Sequence, residues 1–243
     1  MKGTYWRLGM KVELFLGSMG LMSMEIRGGH NLKSKLLKLR ISQGFVITFL
    51  LFSLLHAFII TKSMASDIEK VYFAGGCFWC MEPVFDNIPG VTETISGYMG
   101  GSKETANYQD VSTGRTAHIE TVEVTYNKTE VDYLTLLHAF WRSIDPTDMD
   151  GQFADKGPQY RTAIFVSSKE QEEDIKQSLI ELESLKKFDD PIVTKILPES
   201  EFFPAEEYHQ NYYQKNTIHY NAYKIGSGRA GFLDNKWGKS TDN

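Results

Sequence analysis

The stretch "KVYFAGGCFWCMEPVFDNI", residues 70–88, changes its periodicity in the middle. Its first part is short, β-branched and aromatic, and it breaks at Gly75-Gly76, the pattern of a strand. From residue 78 the apolar positions fall at 78, 81, 84, 85 and 88, the spacing of one helical face. A strand therefore hands over to a helix across two glycines. The only two cysteines of the 243-residue chain, Cys77 and Cys80, sit at that junction.

The same kind of reading extends outward. "HIETVEVTY" (118–126) alternates, with Ile119 and Thr121 on one face and Val122, Val124 and Tyr126 on the other, as an antiparallel strand does. "VDYLTLLHAFWRSI" (131–144) predicts a helix with Leu134, Leu137, Trp141 and Ile144 on its buried stripe and Asp145-Pro146 as its stop. "RTAIFV" (161–166) reads as a buried strand. "SSKEQEEDIKQSLIELESLKKF" (167–188) opens with a capping box, Ser168 with Gln171, and runs from acidic to basic along a helix dipole. "PIVTKIL" predicts another strand, and "PAEEYHQNYYQKN" a final helix starting at Pro204. Mixed elements with antiparallel pairs give an α+β two-layer sandwich, its sheet mixed but mostly antiparallel around a ferredoxin-like core.

Residues 33–40 supply Lys33, Lys35, Lys38 and Arg40, and the run from Ile41 to Thr61 carries no charge. A basic flank before an apolar run reads as an export signal or a membrane anchor over residues 1–66, and Met22 or Met24 would give a more usual start. Ser63-Met64-Ala65 suits cleavage before Ser66. Either reading places the domain outside the cytoplasm, periplasmic or secreted. Without residues 1–66 the chain keeps 26 − 9 = 17 basic and 31 − 2 = 29 acidic groups, a charge of −12 that argues against nucleic acid. With 42% hydrophobic residues, one compact domain over 67–225 can bury an ordinary core, and a monomer is expected. The Gly-rich, polar residues 226–243 read as a flexible tail.

A cysteine at a helix N-terminus has its thiolate favoured by free N–H groups, which points to Cys77 as a nucleophile. Gly75 and Gly76 permit a tight turn and a close approach of substrate to backbone. Phe78 and Trp79 add an apolar surface beside the thiol. Cys80, a helical turn on, can attack whatever becomes attached to Cys77. A structural disulfide gains little from so short a loop. A zinc site lacks a second pair, since His118, His138, His209 and His219 show no paired spacing. By itself the Cys-x-x-Cys fits a thioredoxin-like thiol-disulfide oxidoreductase equally well.

Five separated segments narrow the choice. "GCFWCMEPVFDNIPGV", "SGYMGG", "NYQDVSTGRTAHIETVEVTY", "ADKGPQYRTAIF" and "FPAEEYHQNYY", in that order between about Lys70 and Ile225, resemble the A-type peptide-methionine sulfoxide reductases. The resemblance implies reduction of the S-epimer of methionine sulfoxide, free or in proteins. It implies Cys77 as nucleophile, with Phe78 and Trp79 holding the substrate's ε-methyl and Glu120 as the acid on the sulfoxide oxygen. It further implies Tyr108 and Tyr160 as donors to that oxygen, and Asp155 as a positioning carboxylate. A carboxyl among aromatics has a raised pKa, which suits an acid. Many family members keep a resolving cysteine in a C-terminal tail, whereas this tail has none, so the role falls to Cys80. The family's usual Gly-His-Ala-Glu reads Ala117-His118-Ile119-Glu120 here, a change of bulk beside Glu120. No metal or organic cofactor is implied, and an external thioredoxin-like dithiol is the expected reductant.

Overall fold

A computed structural model describes residues 67–238. The leader, the apolar run at 41–61 and residues 239–243 lie outside the described residues. Strand β1 (Ile68–Gly75) leads through Gly76 and Cys77 into helix α1 (Phe78–Asp86). Then follow β2 (Val91–Met99), a short α2 (Tyr108–Val111), β3 (Ile119–Asn127), α3 (Tyr133–Trp141), the small hairpin β4 (Gly151–Gln152) and β5 (Asp155–Lys156), and β6 (Thr162–Val166). The chain continues with α4 (Lys169–Ser184), β7 (Lys195–Pro198), β8 (Phe202–Pro204), α5 (Tyr212–Lys215), α6 (Thr217–Gly226) and α7 (Arg229–Trp237).

The six-stranded sheet has the order β7-β6-β1-β3-β2-β8. Its inner four strands all pair antiparallel in the ferredoxin-like order, with Val71 opposite Val124 and Ala74 opposite Ala163. Only the β6–β7 pair is parallel, which makes the sheet mixed. The residue alternation of the strands sorts two faces. Val71 and Phe73 of β1 join Val122, Val124 and Tyr126 of β3 and Ile164 of β6 against α1, α3 and α4. Phe73 stacks on Phe85 and Phe140 at 4.9 and 5.2 Å between ring centres, so a Phe73→Ala cavity would cost about 3–5 kcal/mol. The other face carries a smaller cluster of Tyr72, Ala74, Met99, Ala163 and Phe165.

Several sequence expectations are corrected. The buried stripe of α3 is Tyr133, Leu136, Leu137, Phe140 and Trp141. Leu134 lies on its half-buried shoulder. Helix α3 also ends at Trp141, before Asp145-Pro146 is reached. In the capping box the Ser168 side chain accepts from the Gln171 N–H, but the Gln171 side chain reaches back to the Ser167 N–H instead of Ser168. The last turn of α4 carries no basic residue. Pro204 does not open a helix: it ends edge strand β8, opposite Gly97, where a missing N–H is tolerated. The residues after it form a 3₁₀ turn (Glu207–His209) and the short α5.

The polar C-terminal segment expected to be flexible is helix α7 as far as Trp237. It is held because Arg229, only 3% exposed, donates to Ser143 O at 2.7 Å and Gly75 O at 2.8 Å. Its guanidinium also lies over the Phe153 ring. No helix among the described residues is long and apolar enough to cross a membrane.

Candidate active site

The junction between β1 and α1 fixes Cys77. Gly76 has φ +87°, a conformation that disfavours a side chain, and a Cβ there would meet Gln152 Cβ at 2.6 Å and Arg229 Nη2 at 2.8 Å. A Cβ on Gly75 would meet Met81 Sδ at 2.4 Å. The close approach these glycines permit is thus to the protein's own side chains, where the sequence suggested a substrate. Cys77 becomes the N-cap residue of α1, with a side chain that makes no capping bond.

Around the Cys77 thiol lies a cavity of about 140 Å³ lined by Phe78, Trp79, Tyr108, Glu120, Asp155, Tyr160 and Tyr223. A larger polar groove of about 620 Å³, between the end of α1, β2 and residues 204–214, holds no cysteine. The smaller cavity is therefore where thiol chemistry can occur. Every residue singled out from the sequence except Cys80 lines it. Cys80 is buried one turn along α1, its N–H bonded to Cys77 O at 3.0 Å, and both cysteines are free thiols.

Glu120 shares the face of β3 that carries Val122 and Val124, which aims it beneath the start of α1. Its Oε2 accepts the Phe78 N–H at 3.0 Å. Burial pushes its pKa from an ordinary 4.5 up to about 8, opposed by that N–H and assisted by the nearby Asp155. Near neutral pH Glu120 is therefore a proton-bearing acid. Ala117 is exposed and Ile119 packs with the cluster on the opposite face, so neither departure from the family motif adds bulk to the cavity.

The expectation of a thiolate favoured by the helix N-terminus does not hold for the resting site. Burial, and then Glu120, Cys80 and Asp155, raise the Cys77 pKa well above 9.0, while a hydrogen bond from Tyr223 works the other way. Desolvation exceeds the benefit of one helix end, so the resting nucleophile is a neutral thiol. Burial also raises Cys80, against the largest opposing influence, Arg229. Tyr108 and Tyr160 are held as neutral phenols, pushed up by burial and then by Glu120. They present donor groups to the same space.

The aromatic wall has its own support. The Trp79 ring stacks on Tyr212 at 3.7 Å between centres and 5° between planes, and its Nε1 donates to His209 Nδ1 at 3.0 Å. Phe78 lies against His209 and Tyr98. Glu206 accepts from the Tyr98 hydroxyl and from the Tyr108 N–H, both at 2.9 Å, which fixes the turn carrying Tyr108. The sequence offered no role for Tyr98, Glu206, His209, Tyr212 or Tyr223. The first four fall inside the quoted motifs, so their position was the available signal. Tyr223 lies beyond them and gave none. Among the described residues no group of three or more His, Cys, Asp or Glu is placed to hold a metal ion.

A neutral carboxyl and two phenols facing a thiol across an aromatic-walled pocket can protonate an S=O oxygen while the thiol attacks its sulfur. Residues 69–241 match the family model for peptide methionine sulfoxide reductase. The peptide methionine sulfoxide reductase MsrA of Halalkalibacterium halodurans is 48% identical over 176 residues, covering 72% of this chain and 100% of that protein. The Bacillus subtilis MsrA is 47% identical over 175 residues, covering 72% and 99%. Among solved structures, Mxr1 from Saccharomyces cerevisiae in reduced form has a TM-score of 0.57 at 30% identity over 62% of this chain and 86% of that one. Methionine sulfoxide reductase A of Corynebacterium diphtheriae has a TM-score of 0.55 at 33% identity, over 62% and 76%. The fold, the thiol cavity and these likenesses together place the chain in the peptide methionine sulfoxide reductase family.

Proposed function

We propose that this chain reduces the S-epimer of methionine sulfoxide by attack of Cys77 on the sulfoxide sulfur, with Glu120 supplying the proton to oxygen and Cys80 resolving the product. The observation that carries the reading is the gathering of Cys77, Glu120, Tyr108, Tyr160, Phe78 and Trp79 around one cavity. Methionine sulfoxide has an apolar methyl beside a polar S=O. Phe78 and Trp79 take the methyl, while Glu120, Tyr108 and Tyr160 take the oxygen. Proton donation matters because sulfur is attacked more readily once its oxygen is neutralised, and Glu120 carries its proton near neutral pH.

As the Cys77 sulfur–sulfur bond forms, Glu120 protonates the oxygen, and collapse gives methionine and a sulfenic acid on Cys77. The proton lost by the Cys77 thiol ultimately restores Glu120, so the step is balanced: thiol plus sulfoxide gives sulfenic acid plus thioether. Cys80 then condenses with the sulfenic acid, forming a disulfide and releasing water. A thioredoxin-like dithiol regenerates both thiols by exchange. Asp155 helps to position the site. The basic flank and uncharged run of residues 33–61 support export of the domain.

Single-turnover kinetics test the assignment. Cys80→Ser should release about one methionine per active site and stop with one added oxygen on Cys77 when only a protein dithiol is offered, and Cys77→Ser should release none. Full multiple turnover by Cys80→Ser under those conditions would show that Cys80 is not the resolving thiol. Activity on the R epimer equal to that on the S epimer would overturn the stereochemical assignment.

A further inference from the structure

A nucleophile held as a buried neutral thiol must lose its proton somewhere. Glu120 holds a proton of its own, so it cannot first act as base to Cys77. Tyr223 of α6 lies at the wall of the cavity, edge-on to Trp79 at 6.0 Å between ring centres. Its hydroxyl donates to Asp155 Oδ2, and Tyr223, Asp155 and Cys77 line the same cavity. No other hydroxyl at this cavity has a hydrogen bond to Asp155 among the described contacts.

We infer that Tyr223 is a catalytic residue of this site, its hydroxyl relaying the Cys77 proton to Asp155. The inference deepens the proposed reaction and rests on it. As the Cys77 S–H bond breaks, the proton passes to the Tyr223 oxygen while the Tyr223 proton passes to Asp155. Tyrosine is unchanged by the transfer. It never has to exist as a phenolate, which suits a phenol whose pKa is driven far up by burial and then by Cys77. The thiolate attacks sulfur and Glu120 protonates oxygen. After collapse to sulfenic acid and methionine, the proton on Asp155 returns to Glu120. Acid and base are thus separate carboxyls: Glu120 serves the oxygen, and Asp155 serves the sulfur through Tyr223. This gives the C-terminal helices a chemical task in a chain whose tail has no cysteine.

The test is made in the Cys80→Ser protein, where Cys77 is the only thiol. Two readouts are followed: methionine release in a single turnover, and the rate of Cys77 alkylation by iodoacetamide across pH. The other titratable groups facing Cys77 are Glu120, Asp155, Tyr108, Tyr160 and Tyr220, and all of them are common to the parent and Tyr223→Phe. Lys224 and Arg229 act on the neighbouring Cys80 position and are also unchanged. Tyr223→Phe keeps the ring and its packing. It should lower methionine release by about 10²-fold or more, the usual loss for a positioned proton-transfer group, and move the alkylation profile to higher pH. Asp155→Asn should show the same loss, and the double variant no further loss, because both act in one path. Release and alkylation by Tyr223→Phe within about twofold of the parent, or losses that multiply in the double variant, would refute the relay. If the parent itself releases no methionine, the reductase reading fails instead, and the alkylation arm still judges the relay.

Discussion

Replacing Glu120 by Gln should make the protein more stable and almost inactive. The folded-state pKa of about 8 against an ordinary 4.5 means that folding holds the proton more tightly than the unfolded chain does. The stability linked to this group is therefore fully present below about pH 4.5 and is lost as pH rises toward 8. At about 1.4 kcal/mol per pH unit, wild type has given up about 3 kcal/mol near pH 7 but only about 1 near pH 5. Gln cannot ionise, yet its carbonyl oxygen can still accept the Phe78 N–H, so the variant should escape most of that loss. The difference in unfolding free energy between variant and wild type should grow by about 2 kcal/mol between pH 5 and 7. Glu82, buried and pushed up to about 7, also makes stability depend on pH, but it is common to both proteins and cancels in the difference. Denaturant unfolding at the two pH values measures the first effect, and steady-state methionine formation measures the second, an expected loss of about 10²–10⁴. In wild type the acid is about nine-tenths protonated near pH 7, and its contribution to rate should fall about tenfold per unit above pH 8. A stability difference that does not change with pH, or a variant with wild-type kinetics, would refute the reasoning.

Trp79→Ala removes a ring stacked on Tyr212 and should lower kcat/KM by about tenfold or more with a smaller effect on Tm, because the ring is only partly buried at the cavity; activity loss that merely tracks Tm would make it a packing residue. Arg229→Met should destabilise the fold by about 2–4 kcal/mol, leaving the Gly75 and Ser143 carbonyls without their donor, and a Tm unchanged within error would show that they find other partners. Gly76→Ala should cost about 1–3 kcal/mol from its positive φ and its contact with Gln152, with a parallel loss of activity as Cys77 shifts; differential scanning calorimetry and turnover assays check both. The domain should be recovered outside the cytoplasm, and N-terminal mass spectrometry of fractionated cells should find a start at Ser66 or an intact apolar run; a cytoplasmic product beginning near Met64 would exclude export.

What could be read from the sequence was local. Strand β1, the glycine break and α1 are written into adjacent residues, and the parity of Glu120 with Val122 and Val124 places it on the helix-facing side of β3. What escaped was set by distant contacts. The C-terminal residues looked too polar to pack, yet Arg229 finds carbonyl partners 154 and 86 positions away, which no pattern within the tail can announce. Tyr223 was missed for the same reason. The prolyl residue at 204 has the chemistry of a helix start and equally that of an edge strand, and only its pairing with Gly97 decides. For Cys77 the helix end was legible, but the desolvation that outweighs it is a property of the assembled cavity.

The seating of Arg229 and Tyr223 against the β1–α1 junction has a consequence for synthesis. The chain emerges from the ribosome with Cys77 and Cys80 well before the helices that carry Tyr223 and Arg229. Until Tyr223 is available to the cavity wall and Arg229 to the Gly75 carbonyl, the two thiols belong to an unfinished chain whose pocket lacks one side. In that interval they have the accessibility and the ordinary acidity of unfolded cysteines, open to chance oxidation or mixed pairing. The folded enzyme keeps its nucleophile protonated and enclosed, so docking of the helices that carry Tyr223 and Arg229 arms the site for its substrate and at the same moment withdraws it from indiscriminate thiol chemistry.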